Sequence, residues 1–473
     1  MINDAILYGD IVVEGFENLE ILSLTVCQEM NEHATMSLRA LVSCEDAQQY
    51  IDNLATVDVA RLLKGGDVIF VALLKEKKVT KLDDVNYIAL EGASLTYLMD
   101  IAPRSRSFQH TSMSYHDLIK TVVADYPKGG FLDMLSGGAA IGGPIIQYKE
   151  TDWAFLKRLA SHFNGNLAPS AIGEGPQFCF GNPPANQTAI EACDYSERRD
   201  YGRYKAVEAE IPAAREDHFV TYQIETCGIY DLGDMAVFNG DKVCISKTTY
   251  SYTNSVIRNI CHLVPPEGLA RLRAPNWNIA GSSIFGRVLA TSRDNVRIHL
   301  EIDGKQDAGK AFWYPYASMY ASEDETGWYC MPEIGDTVRL YHPDGDERRA
   351  MAINAVKPHD PTEDAERLDP RHRMADSDVK YLRTANGKEV KFRPDGIDII
   401  AKDGTVFISL NDDGTMAMNS NDVISFTALN DIEIKAKNVN FEATEKISLK
   451  SKGSTIDLVE GIAVTGEEVK TNC

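Results

Sequence analysis

The sequence predicts a mainly β protein of several domains ending in a rod. Three observations predict it. An apolar–any–apolar triplet recurs about every eight positions over the last fifth of the chain. Runs of strand-favouring residues, broken by Asn, Asp and Gly, fill roughly the first hundred residues and return twice later. Helical spacing is found in two short segments of one mixed region.

From Met1 to about Asp100 the runs Ala5–Val13, Ile21–Val26, Thr35–Val42, Asp67–Leu74 and Tyr87–Glu91 read as strands of a barrel-like domain. A mixed segment follows. Leu118, Ile119, Val122 and Val123 sit at helical spacing after two candidate caps, Ser112 and Ser114. Trp153, Leu156, Leu159, Ala160 and Phe163 make one face of a second helix, with Thr151 as its candidate cap. The glycine-rich stretch Gly129–Gly143 lacks a following Gly-Lys-Ser/Thr and is not a nucleotide cradle. Strands return from His218 to about Cys261, then Pro265, Pro266 and Pro275 mark an irregular connection. Between Ile284 and Val356, five or so short strands suit a small OB-like barrel. In it, Val296, Ile298, Leu300 and Ile302 alternate cleanly. Lys357–Ser377 reads as a polar linker.

The rod follows. Its pairs are Val390/Phe392, Ile397/Ile399, Ile408/Leu410, Met416/Met418, Ile424/Phe426, Ile432/Ile434, Val439/Phe441, Ile447/Leu449, Ile456/Leu458 and, last, Ile462 with Val464. Period-two alternation puts both members of a pair on one face of a short strand. A unit of one strand and one turn is too short for a single chain to build every face of a β-helix. Three chains wound round one axis would each give one strand per layer, with these paired residues as the trimeric core. Ten layers at about 4.8 Å give a needle of roughly 50 Å. The competing reading is an antiparallel meander. Asn386-Gly387, Asp395-Gly396, Asp403-Gly404 and Asp413-Gly414 are hairpin signals in its favour, but none follows Gly414. In the intertwined rod, Ile432→Asp or Ile434→Asp would bury three carboxylates near the axis, whereas Lys435→Asp would be mild.

Composition bounds the function. The net charge of −22 argues against nucleic-acid binding, which needs basic faces. No apolar run reaches a membrane span of about eighteen residues, and the N-terminus has no typical signal peptide, so synthesis in the cytoplasm is expected. Nine scattered cysteines without a CxxC pair read as reduced thiols. No cofactor, metal site or catalytic set is expected: nucleophile-elbow, His-Glu-x-x-His and paired-cysteine motifs are absent. His359 and His372, near Asp360, Glu363 and Asp364, read as a solvated linker, and Trp153 and Trp328 as core or interface aromatics.

Three stretches carry a resemblance. Residues 147–159, Gln-Tyr-Lys-Glu-Thr-Asp-Trp-Ala-Phe-Leu-Lys-Arg-Leu, form the first. The second comprises Gly286-Arg287-Val288, then Gly327–Val338 with its Trp328, Pro332 and Gly335, then His342-Pro343-Asp344-Gly345-Asp346-Glu347-Arg348-Arg349. The octad rod is the third. Together they resemble the VgrG-type hub–spike proteins of contractile injection systems. That resemblance implies two hub β-barrels at 1–100 and 211–280, with a mixed helical segment at 101–210 inserted between them. It also implies an OB-fold at 281–356, a linker at 357–378 and a β-helical needle at 379–473. It implies a homotrimer, joined to inner-tube and baseplate proteins, whose needle punctures a target cell envelope. A PAAR-type tip protein near Thr465–Cys473 is a further implied partner. The linker is too short for a lysozyme domain, and no His lies beyond His372 to build a His-x-His tip site. The competing function is a β-helical enzyme or adhesin acting on surface polysaccharide. It would need a long solenoid with an acidic and aromatic groove.

Overall fold

The computed structural model describes residues 11–458 apart from 15–18, 43–51, 53–56, 84, 185, 188–189, 191–193, 227, 229, 254–255, 321, 323–325, 358–372, 374 and 402–403. Residues 5–10 of the first expected strand and most of the expected linker, with His359 and His372, lie outside the described residues. So does the last expected core pair: Ile462 and Val464 have no described position, and neither does the segment Thr465–Cys473. The chain divides into two compact units, Met1–Pro358 and His359–Cys473.

The first unit is built on one eleven-stranded antiparallel sheet. Alternation explains its first half: in Thr35–Val42 the side chains of Met36, Leu38, Ala40 and Val42 are buried and their neighbours are not. They pack with Leu24, Val26, Leu62, Phe70, Ile88 and Leu90 into one core. The second half has its own core around Tyr222, Ile224, Val243, Ile245 and Leu263. The resemblance implied two hub barrels. The described strands of both regions join in one continuous sheet. The reason is the long strand Asp241–Thr253, which pairs with Glu20–Glu29 on one side and Val256–Val264 on the other. A strand at Val59–Lys64, not anticipated from the sequence, completes the first half.

The mixed segment carries helices α1 (Tyr115–Val123) and α2 (Asp152–Ser161). Ser114 and Thr151 cap them: each hydroxyl accepts from a first-turn amide, Asp117 N at 3.0 Å and Ala154 N at 3.2 Å. A third helix, α3 (Tyr201–Glu208), is nearly polar all round and buries only Val207. The strand Ile145–Thr151 serves two cores through its alternation. Ile145 enters the core around α1 and α2, and Ile146 enters the next domain.

That domain is a closed barrel of five strands, Ser283–Ser292, Asn295–Leu300, Trp313–Ala317, Thr337–Tyr341 and Met351–Val356. Val296, Ile298 and Leu300 point inward with Tyr314 and Leu340, as their alternation predicts. Gly286 has no room for a side chain: a Cβ there would clash with Ile298 Cγ2 and lie 2.8 Å from His299 O.

The second unit begins with a five-stranded antiparallel sheet running from Lys380 to Asn419. Residues 420–446 carry no strand, and Ile447–Ser451 and Ser454–Leu458 form a hairpin. Over 380–419 the single chain therefore adopts the meander arrangement rather than one strand per layer. The cause is local. Gly387, Gly404 and Gly414 take positive φ of 77°, 95° and 85°, the conformation tight hairpins need. Gly453, at φ 114°, turns the last hairpin. Between Gly414 and Gly453 the sequence has no glycine, and there the ladder stops.

Candidate functional site

The C-terminal sheet has two unlike faces. Register places the expected pairs directly opposite one another. Val390 faces Ile399, Phe392 faces Ile397, Ile397 faces Leu410, Ile399 faces Ile408, Ile408 faces Met418 and Leu410 faces Met416. With Leu382 they make one apolar face, and most of it is open to solvent. The opposite face is satisfied. Glu389, 5% exposed, accepts from Arg383 at 2.6 Å and Arg373 at 3.1 Å. Arg393 donates to Asp398 at 2.9 Å and Asn411 at 2.8 Å, and Ser409 donates to Asp398 at 2.7 Å. Arg383 and Arg373 hold the Glu389 carboxyl below the usual carboxylate range despite its burial.

The expected pairs continue beyond the sheet without cover. Phe426, Ile434 and Phe441 are 67%, 65% and 72% exposed, and Ile424, Ile432 and Val439 are also exposed. Leu449 and Ile456 face each other across the terminal hairpin and are exposed too. A run of large apolar side chains this long is a surface that soluble proteins normally cover. Thus the structure brings eight of the expected core residues onto one face, leaves six on the strandless stretch and places four on the hairpin. The shared core of all twenty was expected of three chains; in the one chain described, the ladder ends at Asn419, and Ile462 and Val464 are not among the described residues.

The 147–159 motif turns out to be a joint. Asp152 is fully buried and ion-paired, accepting from Arg106 Nη2 at 2.5 Å, Tyr126 OH at 2.6 Å and Gln147 Nε2 at 2.8 Å, with Arg104 Nε at 3.2 Å. Trp153 is core, and its Nε1 donates to Asn31 O at 3.0 Å. From the same helix, buried Arg158 reaches Glu150 at 3.0 Å and Glu347 of the OB barrel at 2.7 Å. Asn276 also donates to Glu347, at 3.3 Å. A second contact joins Ser107 N to Asp303 at 2.6 Å. Gln109 closes a third, donating to Ile298 O at 3.1 Å and accepting from Phe312 N at 3.2 Å. Burial pushes the Glu150 and Asp303 carboxyls above their usual range. Sequence reasoning found Glu150, Glu347 and Arg158 as parts of motifs. It missed their meeting, for which spacing along the chain gives no signal.

The barrel also contains an acid-sensitive group. His342 is buried, its Nε2 has no hydrogen-bond partner among the described residues, and burial lowers its pKa to about 4. The fold holds this imidazole neutral, so its stability contribution is complete above pH 6.5 and is lost as pH falls toward 4. At pH 5 the loss is about 2 kcal/mol. Urea unfolding at pH 7 and pH 5 should show that loss in the native chain and less of it in His342→Asn. An equal pH response in both chains would reject the assignment.

Among the described residues, no group of three or more His, Cys, Asp or Glu could hold a metal ion, and no helix is long and apolar enough to cross a membrane. Trp328 and Tyr329 of the OB motif are exposed, with Tyr329 OH donating to Arg293 O at 2.6 Å.

The chain is mainly β, with a closed five-stranded barrel beside a long antiparallel sheet. Residues 286–356 match the family described as the type VI secretion system/phage-baseplate injector OB domain. Over 72% of this chain and 98% of the other, the fold is similar to the E. coli c3393 protein, at 12% identity and a TM-score of 0.54. That protein is described as a component of the type VI secretion system with structural similarity to the T4 bacteriophage tail proteins gp27 and gp5. The fold is also similar to a chain of the lidded Francisella PdpA-VgrG complex, over 86% of this chain and 79% of that one, at 8% identity and a TM-score of 0.53. No curated protein matches the sequence.

Proposed function

We propose that the chain is the trimeric hub–spike of a contractile injection machine, a structural protein whose C-terminal needle punctures a target cell envelope. The bare apolar face carries this reading. One side of the C-terminal sheet is closed by ion pairs, while the other exposes a row of Val, Ile, Leu, Phe and Met that continues through 420–446. Two further copies are the cover that the repeat itself suits, because each copy brings the same row to a common axis. Strands without partners in one chain would then find them on the others, leaving few free edges. The needle core would run from Val390 to Val464. The injector-type OB domain supports the machine, and the similarity to c3393 and to the PdpA-VgrG chain supports the hub. Inner-tube and baseplate proteins would bind the hub, and a PAAR-type protein would cap the needle.

Absolute mass by light scattering tests the reading. The expected mass is about 157 kDa, three times the 52.3 kDa chain, falling to monomer on truncation before Val379. A full-length monomer at 52.3 kDa, still monomeric with its tube and baseplate partners, would overturn it.

A further inference from the structure

A groove of about 760 Å³ opens in the first unit, on the second half of the hub sheet. Its size lies in the range of ligand sites, roughly 300–1,000 Å³. Strand residues Thr221, Gln223, Ser246, Lys247 and His262 line it, together with α3 and the turn at 268–272. One border is the strand Tyr195–Arg199, which contributes Ser196 and Arg198.

Two independent features meet here. The first is charge. Arg198, Arg203, Lys247 and Arg271 line the groove against only Glu29 and Asp200, in a chain whose net charge is −22. Lys247 is matched by Glu29 at 2.7 Å, and Arg198 lies 3.6 Å from Asp200. Arg203 spends one donor on Ala270 O at 3.2 Å, and Arg271 makes no side-chain ion pair among the described residues. Cations lie close together here: burial pushes Arg203 down, with Asp200 opposing and Arg271 adding, and burial and then Lys247 push His262 down, with Glu29 opposing. An anionic occupant relieves that crowding.

The second feature is a free sheet edge. Tyr195–Arg199 is the last strand in the sheet order and, among the described residues, pairs only with Val220–Thr226. It is exposed along its whole length. Its outer side presents unpaired backbone donors and acceptors among the described residues, the template that an extended chain adds to. A lone small anion would answer the charge but not the edge.

We propose that this groove binds an extended acidic peptide segment of a partner protein. The segment would add as a strand along Tyr195–Arg199 and place its carboxylates near Arg198, Arg203 and Arg271. The groove is lined by residues of one chain, so the inference does not rest on the trimer reading.

Fluorescence anisotropy with full-length protein and a labelled hexaglutamate peptide tests it. Saturable binding is expected, weakening as salt rises from about 0.05 M to about 0.5 M. Arg198→Glu/Arg271→Glu should weaken it about tenfold or more, while Lys128→Glu, outside the groove, should leave it near native. Native thermal unfolding of both variants shows that the fold is kept. A hexamer of D-glutamate carries the same charge but cannot pair as an L-strand, and should bind clearly less well. No saturable binding by the native chain, or equal binding by the groove variant, would overturn the proposal. Equal affinity for the D-peptide would also overturn it, leaving charge attraction alone.

Discussion

Ile434→Asp is expected to bring the particle from about 157 kDa to the 52.3 kDa monomer, while Lys435→Asp leaves it intact. Within one chain the two positions look alike. Ile434 is 65% exposed and the Lys435 side chain is 83% exposed, with Lys435 paired to Glu433 at 2.5 Å. If the monomer were the working form, both substitutions would be surface changes within about 0.5 kcal/mol of neutral. In the proposed trimer they differ sharply. Ile434 lies on the inward row, so three carboxylates would be brought together with no cation beside them. An unpaired buried charge costs several kcal/mol per ion after relaxation, and like charges add to that. Lys435 alternates to the outer face and stays in water. Light scattering of the two variants separates the outcomes. Matching masses for both would remove the inward assignment and with it the intertwined needle.

Arg158→Met is expected to destabilise the first unit by about 3–5 kcal/mol in urea unfolding. The substitution keeps much of the side chain's volume but removes the cation that bridges two buried carboxylates, Glu150 and Glu347. Both would then sit uncompensated where burial already disfavours ionisation of Glu150. The triple change Arg158→Met/Glu150→Gln/Glu347→Gln should recover most of the loss, because no charge is left stranded. Glu347 belongs to the OB barrel and Glu150 to the 145–151 strand, so a split of one unfolding transition into two is the expected companion signal in Arg158→Met. A loss below about 1 kcal/mol would show that the joint is solvated and that the barrel is held by its apolar contacts alone.

The helices and the OB barrel were legible because their signals are local. Ser114 and Thr151 announce α1 and α2 through cap chemistry that acts over three residues. Val296, Ile298 and Leu300 announce their strand through alternation. The continuous hub sheet was not legible. It depends on Lys247 pairing with Glu29 and on Thr253 pairing with Ser23, contacts between residues more than two hundred positions apart. Helix α3 was missed for a different reason: it buries only Val207, so it carries almost no apolar periodicity. The Tyr195–Arg199 groove likewise combines strands, a helix and a turn that no local pattern links.

The C-terminal repeat shows where the boundary runs. By itself the sequence determined which residues share a face, because a period of two is enforced by the strand backbone whatever pairs with it. It also determined where hairpins can form, because Asn386-Gly387 and Asp413-Gly414 supply the positive φ a tight turn requires. Only the tertiary structure decided that the polar side closes through Glu389, Arg383, Arg393 and Asp398 while the apolar side remains bare. That decision rests on which charged and polar side chains meet across neighbouring strands, a pairing that no single strand's pattern specifies.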